Sequence, residues 1–374
     1  MGRVKRFVVR TLGEGITSAT RWVGASERGQ RREVVPHPRF RAVRPAQIVE
    51  QAAFTSCGVG FGGKGNTLYR THDFFHTMEP VDRLATGETC YLAFVDSRDC
   101  VYRNAIGDGE LRRSIDTGDT WQTVLHLGAN EDRGFWRMCE QPTTGYLFAG
   151  EYTTGQAVSC RVHRSRDGGE TWSEVLHVPG ERHVHAVHST EDGTLYAATG
   201  DSLFILYRST DDGDTWRIVN AGRSLTAIAS YGSTLLLGSD GGWSSDVWKS
   251  RDAGVTWEPR FHETPRRNIV WIRRFHHGVF LASHALHLKT PPGVLAELLL
   301  SEDYGESWTP VYRWNASAAW AGSWRESNVY RGWMHLSDEY GLNMMVTAVG
   351  ASPSVIGARA AGATRERKSA ERMG

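Results

Sequence analysis

Cysteine is scarce in this chain of 374 residues: the five present, Cys57, Cys90, Cys100, Cys139 and Cys160, are odd in number, scattered and never spaced as Cys-x-x-Cys. They suggest neither a zinc site nor a full disulfide framework, so reduced thiols and a cytoplasmic setting are expected, with non-classical export as the alternative. Long apolar runs are missing too. The N-terminal MGRVKRFVVRTLGEGITSATRW begins basic, but Gly13 and Glu14 interrupt it before a signal-peptide core could form, and no later segment is long enough to span a bilayer. Charge of one sign is also lacking overall, at +1, yet it is unevenly spread. Residues 1–46 carry +8 and residues 351–374 carry +3, which leaves −10 on residues 47–350. An acidic body argues against wrapping nucleic acid.

What is plentiful is glycine, at 41, and tryptophan, at 14, a composition that suits many tight turns between short strands. SRDGGETW at 165–172 has near-copies in SIDTGDTW (114–121), STDDGDTW (209–216), SRDAGVTW (250–257) and SEDYGESW (301–308). All share Ser-x-Asp-x-Gly-x-x-Trp, and a degenerate copy, THDFFHTM (71–78), puts Phe75 and Met78 where Gly and Trp stand elsewhere. The Asp and Gly suit a tight turn, the Asp side chain can satisfy amides of its own turn, and the Trp anchors the turn against neighbouring strands. Short strands flank each copy (ELRR, CRVHR, FILYR, DVWK and ELLL before; WQTVLHL, WSEVLHV, WRIV, WEPRF and WTPVYR after), so the motif joins two antiparallel strands.

The motif aspartates are 51, 44, 41 and 51 residues apart, leaving room for two more strands per repeat. Second strands align in GYLFAGEY, GTLYAATGD, STLLLGSD and GVFLASHA, and first strands in FWRMCEQ, RHVHAVH, SLTAIAS and VWIRRFH. Four-stranded units at this period predict an all-β protein, a β-propeller. GWMHLSDEYG and LNMMVTAV supply second and third strands of a last unit that lacks a fourth. REVVPHPRFRAV (32–43) would complete it, giving seven blades, with six as the alternative. The domains read as a basic N-terminal extension over 1–46 that supplies a closing strand, a propeller over 47–350, and a disordered basic tail over 351–374.

The repeat resembles the Asp-box, or BNR, repeat of the sialidase-like propeller superfamily, which also includes xyloglucanase-type glycosidases, sortilin-type receptor domains and a photosystem assembly factor. The resemblance covers roughly residues 47–350. It implies that Asp116, Asp167, Asp211, Asp252 and Asp303, with Trp121, Trp172, Trp216, Trp257 and Trp308, build the fold on one rim. Sialidase chemistry itself does not transfer: the family's early Arg-Ile-Pro strand is absent, FRAVRP (40–45) is a poor echo, and an arginine triad cannot be assigned.

Strand alternation puts the ends of second strands and the starts of first strands on the opposite face, around the central funnel. The residues expected there are Glu151, Tyr152, Asp201, Asp240, His284, Asp338, Glu339 and Tyr340, with Trp136, Arg137, His183, His185, Trp271 and Arg273. Aromatics that stack on sugars beside acids and bases suggest a glycan site, with Glu151, Asp201, Asp240, His183 and His185 as candidates for acid, base or nucleophile. The plainer reading of each one alone is a turn former. His183 and His185 point to one side and His188 to the other. No third ligand is specified by spacing, so neither metal nor cofactor is expected. The expected function is glycan binding or cleavage of glycoside hydrolase type. The alternatives are a non-catalytic platform for protein partners and a polysaccharide lyase in which Arg137 or Arg273 neutralises a uronate. Residues 3–10 could touch a membrane surface weakly, although a solvated end is the simpler account.

Overall fold

The computed structural model describes residues 32–34, 37, 40–43, 49, 52–84, 90–105, 109–127, 133–153, 159–200, 202–221, 225–239, 245–263, 267–276, 278–286, 293–314, 325–326, 328–331, 333–337 and 343–347. Two short strands come first, β1 (Arg32–Val34) and β2 (Arg41–Val43). A first unit follows from β3 (Ala52–Phe54), β4 (Gly60–Lys64), β5 (Thr67–Thr71) and β6 (Glu79–Arg83), and a second from β7 (Cys90–Val95), β8 (Val101–Ala105), β9 (Glu110–Ser114) and β10 (Gln122–His126). The third holds β11 (Arg133–Glu140), β12 (Leu147–Thr153), β13 (Ser159–Ser165) and β14 (Ser173–Pro179); the fourth holds β15 (His183–Ser189), β16 (Leu195–Gly200), β17 (Ile205–Ser209) and β18 (Arg217–Ala221). The fifth is β19 (Leu225–Tyr231), β20 (Thr234–Ser239), β21 (Ser245–Ser250) and β22 (Glu258–Glu263), and the sixth is β23 (Arg267–His276), β24 (Val279–Leu286), β25 (Ala296–Ser301) and β26 (Thr309–Trp314). The last contains β27 (Arg325–Glu326), β28 (Met334–Ser337) and β29 (Asn343–Thr347). Every pairing is antiparallel between consecutive strands, apart from the two N-terminal strands and one residue pair, Tyr152 with His183, that joins the third and fourth units.

The stretch at 32–43 is two strands rather than one. β1 adds to the outer edge of the sixth unit by pairing with β26, whereas β2 pairs with β29 and becomes the fourth strand of the last unit. Pro36 and Pro38 lie between them. Proline has no amide to donate to a ladder, so this sequence does not favour one continuous paired strand. Phe40, just before β2, is 2% exposed in the apolar layer between the sixth and last units.

Each joint between units has its own apolar cluster. Phe61 and Leu68 meet Val101 and Ala105, Tyr102 and Leu111 meet Phe135 and Leu147, and Phe148 and Val162 meet Val184 and Leu195. Tyr196 and Leu206 meet Leu225 and Leu237, and Leu236 and Val247 meet Ile269 and Phe280. Leu281 and Leu298 meet Met334 and Leu336, and Tyr330 and Trp333 return to Phe54 and Phe75 of the first unit. The contacts therefore close a circle, and the all-β fold is a β-propeller. Because both faces of a unit are covered, its strands read as nearly continuous apolar runs: Leu235 and Leu237 pack one way and Leu236 the other. The first strands of neighbouring units touch one another (β11 with β15, β15 with β19, β19 with β23), so they line the centre. Among the described residues no helix is long and apolar enough to cross a membrane.

The repeated motif forms one hydrogen-bonded turn. In the copy at 165–172, Ser165 Oγ donates to Asp167 Oδ1 (2.8 Å) and accepts from the Gly169 amide (2.7 Å). Asp167 accepts from the amide (2.9 Å) and hydroxyl (2.5 Å) of Thr171, and Trp172 Nε1 donates to the Gly169 carbonyl (3.3 Å). The degenerate copy keeps the hydroxyl and carboxylate bonds with Thr71, Asp73, Phe75 and Thr77, and Met78 replaces the Trp donor. The Thr120, Thr215 and Thr256 hydroxyls, followed by their amides, hold Asp116, Asp211 and Asp252 at about 2. Asp167 also lies at about 2: burial opposes its ionisation, but the Thr171 bonds outweigh that. Glycine is needed at 169 because φ is +80° there and a Cβ would lie 2.5 Å from the Tyr102 hydroxyl of the preceding unit.

The residue before each motif Ser is basic in most copies, and it reaches the next unit's turn. Arg70 Nη1 bonds the Thr117 carbonyl (2.7 Å) and Asp119 (2.6 Å), and Arg164 Nη1 bonds the Asp212 carbonyl (2.7 Å) and Asp214 (2.6 Å). Arg113 pairs with Glu170 at 3.6 Å, and Lys249 pairs with Glu306 while donating to the Tyr304 carbonyl (2.7 Å). The motif thus carries a staple between units: a base before the Ser, and an acid two residues before the next Trp.

Candidate functional site

Five of the expected funnel residues come together where the third unit meets the fourth. Trp136 lies on β11, Tyr152 at the end of β12, and His183 and His185 at the start of β15. Tyr152 stacks on His183 with ring centroids 3.9 Å apart and planes 8° from parallel, and on Trp136 at 4.6 Å and 25°. His185 continues the row 5.4 Å from His183, and the Arg137 guanidinium sits 5.8 Å from the Trp136 ring centroid. Trp136, Arg137 and Tyr152 are half-buried, whereas both histidines are buried.

Local backbone features aim these rings. The β11–β12 register slips between Phe135 and Arg137, and the β15–β16 register slips between Val184 and Ala186, so Trp136 and His185 are the extra residues of two equivalent bulges on inner strands. His183 Nε2 donates to the Thr153 carbonyl (2.5 Å) and His185 Nδ1 donates to the Leu225 carbonyl of the next unit (3.1 Å). Gly200, opposite His183, leaves space for a ring: a Cβ there would fall 2.1 Å from His185 Cε1. Glu181 steadies the rim from full burial. Its Oε2 accepts the Leu203 amide (2.8 Å) and its Oε1 the Arg182 amide (3.0 Å), linking the turns before β15 and after β16.

Glu151 precedes Tyr152 in sequence but faces the other way, as strand alternation requires. It is 3% exposed, accepting His163 Nε2–H at 2.7 Å and pairing with Arg133 (3.2 Å) and Arg161 (3.4 Å). Burial works against its ionisation, but His163 and the two guanidinium groups prevail and hold the carboxyl below its usual range. Such a group is charged and already paired, a poor proton donor at neutral pH.

His284 is not at a mouth but wholly buried inside the sixth unit, in a related network. Its Nδ1 lies 3.1 Å from Glu297, which also pairs with Arg267 (3.0 Å) and Arg313 (2.7 Å). A carboxylate only accepts, so the neutral ring carries its proton on Nδ1 and Nε2 accepts from Ser245 Oγ (2.7 Å). Burial lowers the pKa of His284, and Glu297, although burial opposes it, is held at about 2 by His284 and its arginines. Counting from the strand pairs at the motif serines, Leu147 with Ser165 and Phe280 with Ser301, Glu151 and His284 occupy one ladder position and Arg161 and Glu297 another. The same network is therefore built twice with acid and base exchanged. Glu263, His284 and Glu297 bring one ligand atom each within 4.8 Å of one another, but Arg267 pairs with both carboxylates and already balances their charge.

Trp271 is buried between the sixth and last units, and Arg273 is half-buried on the same strand. His188 bonds Ser230 Oγ at 2.8 Å and is driven to about 3 by burial and then by Arg273 and Arg274. Asp201, Asp240, Asp338, Glu339 and Tyr340 lie outside the described residues. Sequence reasoning missed Arg133, Arg161, His163 and Glu297, which carry no local motif. It also missed the staple bases, which do: they repeat at a fixed offset from the motif.

No protein-family model matches the chain, and no curated protein matches it. Among solved structures it is similar to "YCF48 bound to D1 peptide", with TM-score 0.57 and 13% identity over 84% of this chain and 98% of that one. It is similar to an oligogalacturonate lyase from Vibrio parahaemolyticus, with TM-score 0.58 and 12% identity over 87% of this chain and 97% of that one. It is also similar to a GH74 xyloglucanase from Xanthomonas campestris, with TM-score 0.59 and 17% identity over 84% of this chain but only 54% of the xyloglucanase. What this chain shares with all three is the β-propeller fold.

Proposed function

We propose that the protein binds a glycan at the Trp136, Arg137 and Tyr152 edge of the aromatic row, and that it binds without cleaving through Glu151. The row itself carries this reading: rings from two units are held nearly parallel by bulges and backbone hydrogen bonds, with a guanidinium at one end. Pre-ordered aromatic surface contacts the apolar face of a sugar at little entropic cost, and the guanidinium favours an acidic sugar such as a uronate. Among the structurally similar proteins, a xyloglucanase and an oligogalacturonate lyase are compatible with a propeller serving saccharide chemistry. Hydrolysis would require two carboxyl groups, one raised in pKa, and Glu151 is lowered.

Titration calorimetry against neutral and acidic oligosaccharides tests this. The expected result is tighter binding of the acidic series, weakened about tenfold, or about 1.4 kcal/mol, by Trp136→Ala or Arg137→Ala. Gly200→Ala, which pushes His185 out of line, should weaken binding while the circular dichroism spectrum stays that of the wild type. Absence of binding across the series, or equal binding by Trp136→Ala and the wild type, overturns the reading.

A further inference from the structure

Among the described residues, one motif base, Arg208 at the joint between the fourth and fifth units, is not answered by an acid in the next turn. Where the second unit meets the third, Tyr102 donates to the Gly168 carbonyl (2.9 Å) and Arg113 pairs with Glu170. The joint between the fourth and fifth units repeats this arrangement. Tyr196 occupies the same ladder position as Tyr102, one residue beyond the partner of the motif Ser, and donates to the Ala253 carbonyl (2.9 Å). Arg208 takes the place of Arg113 and meets the Tyr196 hydroxyl. The place of Glu170, however, is held by Val255, which is 70% exposed. Arg217, directly across the strand pair from Arg208, is exposed as well. Among the described residues no carboxylate pairs with Arg208 or Arg217; the Arg208 Nε is buried without a hydrogen-bond partner, as are those of the stapled Arg70, Arg113 and Arg164. The nearby Asp192 carboxylate is engaged by the Thr190 hydroxyl (2.5 Å) and the Thr194 amide (3.0 Å).

We infer that this joint is a docking point for an acidic protein segment, whose carboxylate takes the position that Glu170 fills two units earlier and whose neighbouring apolar side chain covers Val255. Charge complementarity identifies the occupant. Two guanidinium groups side by side repel each other, and every other stapled joint answers its base with an acid. The apolar methyls of Val255 select a peptide over a free anion or a uronate, because an extended chain presents side chains two residues apart on one face. The surface lies on the rim of the motif turns, opposite the aromatic row, and does not depend on the glycan reading.

The test uses the full chain and a fluorescently labelled twelve-residue peptide with Glu and Leu two residues apart and Ser elsewhere, followed by anisotropy. A peptide with Gln for Glu and the sugar acid trigalacturonate serve as controls. Binding of the Glu peptide should exceed that of the Gln peptide by about tenfold and weaken as salt is raised. Arg208→Gln should abolish the preference. Val255→Glu, which supplies the missing acid from within, should abolish binding while raising the melting temperature, so a loss through misfolding is distinguished. Equal binding of the Glu and Gln peptides, unchanged binding by Val255→Glu, or displacement of the labelled Glu peptide by trigalacturonate as readily as by unlabelled peptide would overturn the proposal.

Discussion

Replacing Glu297 by Ala is expected to lower unfolding free energy by about 3–5 kcal/mol, because it strands buried positive charge without its counter-ion. Glu297 is only 6% exposed, and Arg267 and His284, both buried, lose a partner at once. The effect has a pH signature. The folded carboxyl lies at about 2, below its ordinary value of 4.5, so the stability it contributes is fully present above about 4.5 and drains away as pH falls towards 2. Denaturant midpoints of wild type and Glu297→Ala should therefore be far apart at pH 7 and converge as the pH approaches 2. A gap that is already small at pH 7, or one that does not change with acid, would show that the network contributes little.

Removing residues 1–46 is expected to destabilise the whole ring. That segment supplies β2, whose pairing of Arg41, Ala42 and Val43 with Thr347, Val346 and Met345 completes the last sheet, together with β1 on the sixth unit. It also supplies Phe40, and Phe40→Ala alone should cost about 3–5 kcal/mol through the cavity left against Leu336 and Val346. Thermal melts of the deletion, Phe40→Ala and the wild type provide the comparison. A deletion that melts like the wild type would mean that the last sheet holds without its fourth strand.

The architecture was legible because each motif turn is local. Ser165, Asp167 and Thr171 satisfy one another within seven residues, so their pattern survives in sequence whatever surrounds it. The site was legible only in part. The strand-end rule pointed to Trp136, Tyr152, His183 and His185, and equally to Glu151, which shares the end of its strand with Tyr152. Period-two alternation sends its carboxylate into the sheet instead, where Arg133, Arg161 and His163 arrive from other strands. Pro36 and Pro38 belong, in sequence, to the stretch expected to be one closing strand, and the two described strands of that stretch pair with different sheets.

Sequence by itself determined the repeat, its strand order and the chemistry of its turns, since these depend on residues a few positions apart. Tertiary structure alone decided which charges meet. Arg208 and Val255 are unremarkable 47 positions apart, and only the packing of one unit against the next places them where Arg113 finds Glu170. Likewise Trp136, Tyr152 and His183 become one aromatic row only because two bulged inner strands lie side by side at the centre. Ion pairing and ring stacking act over a few ångströms of space, and in a ring of sheets that distance bears no fixed relation to separation along the chain.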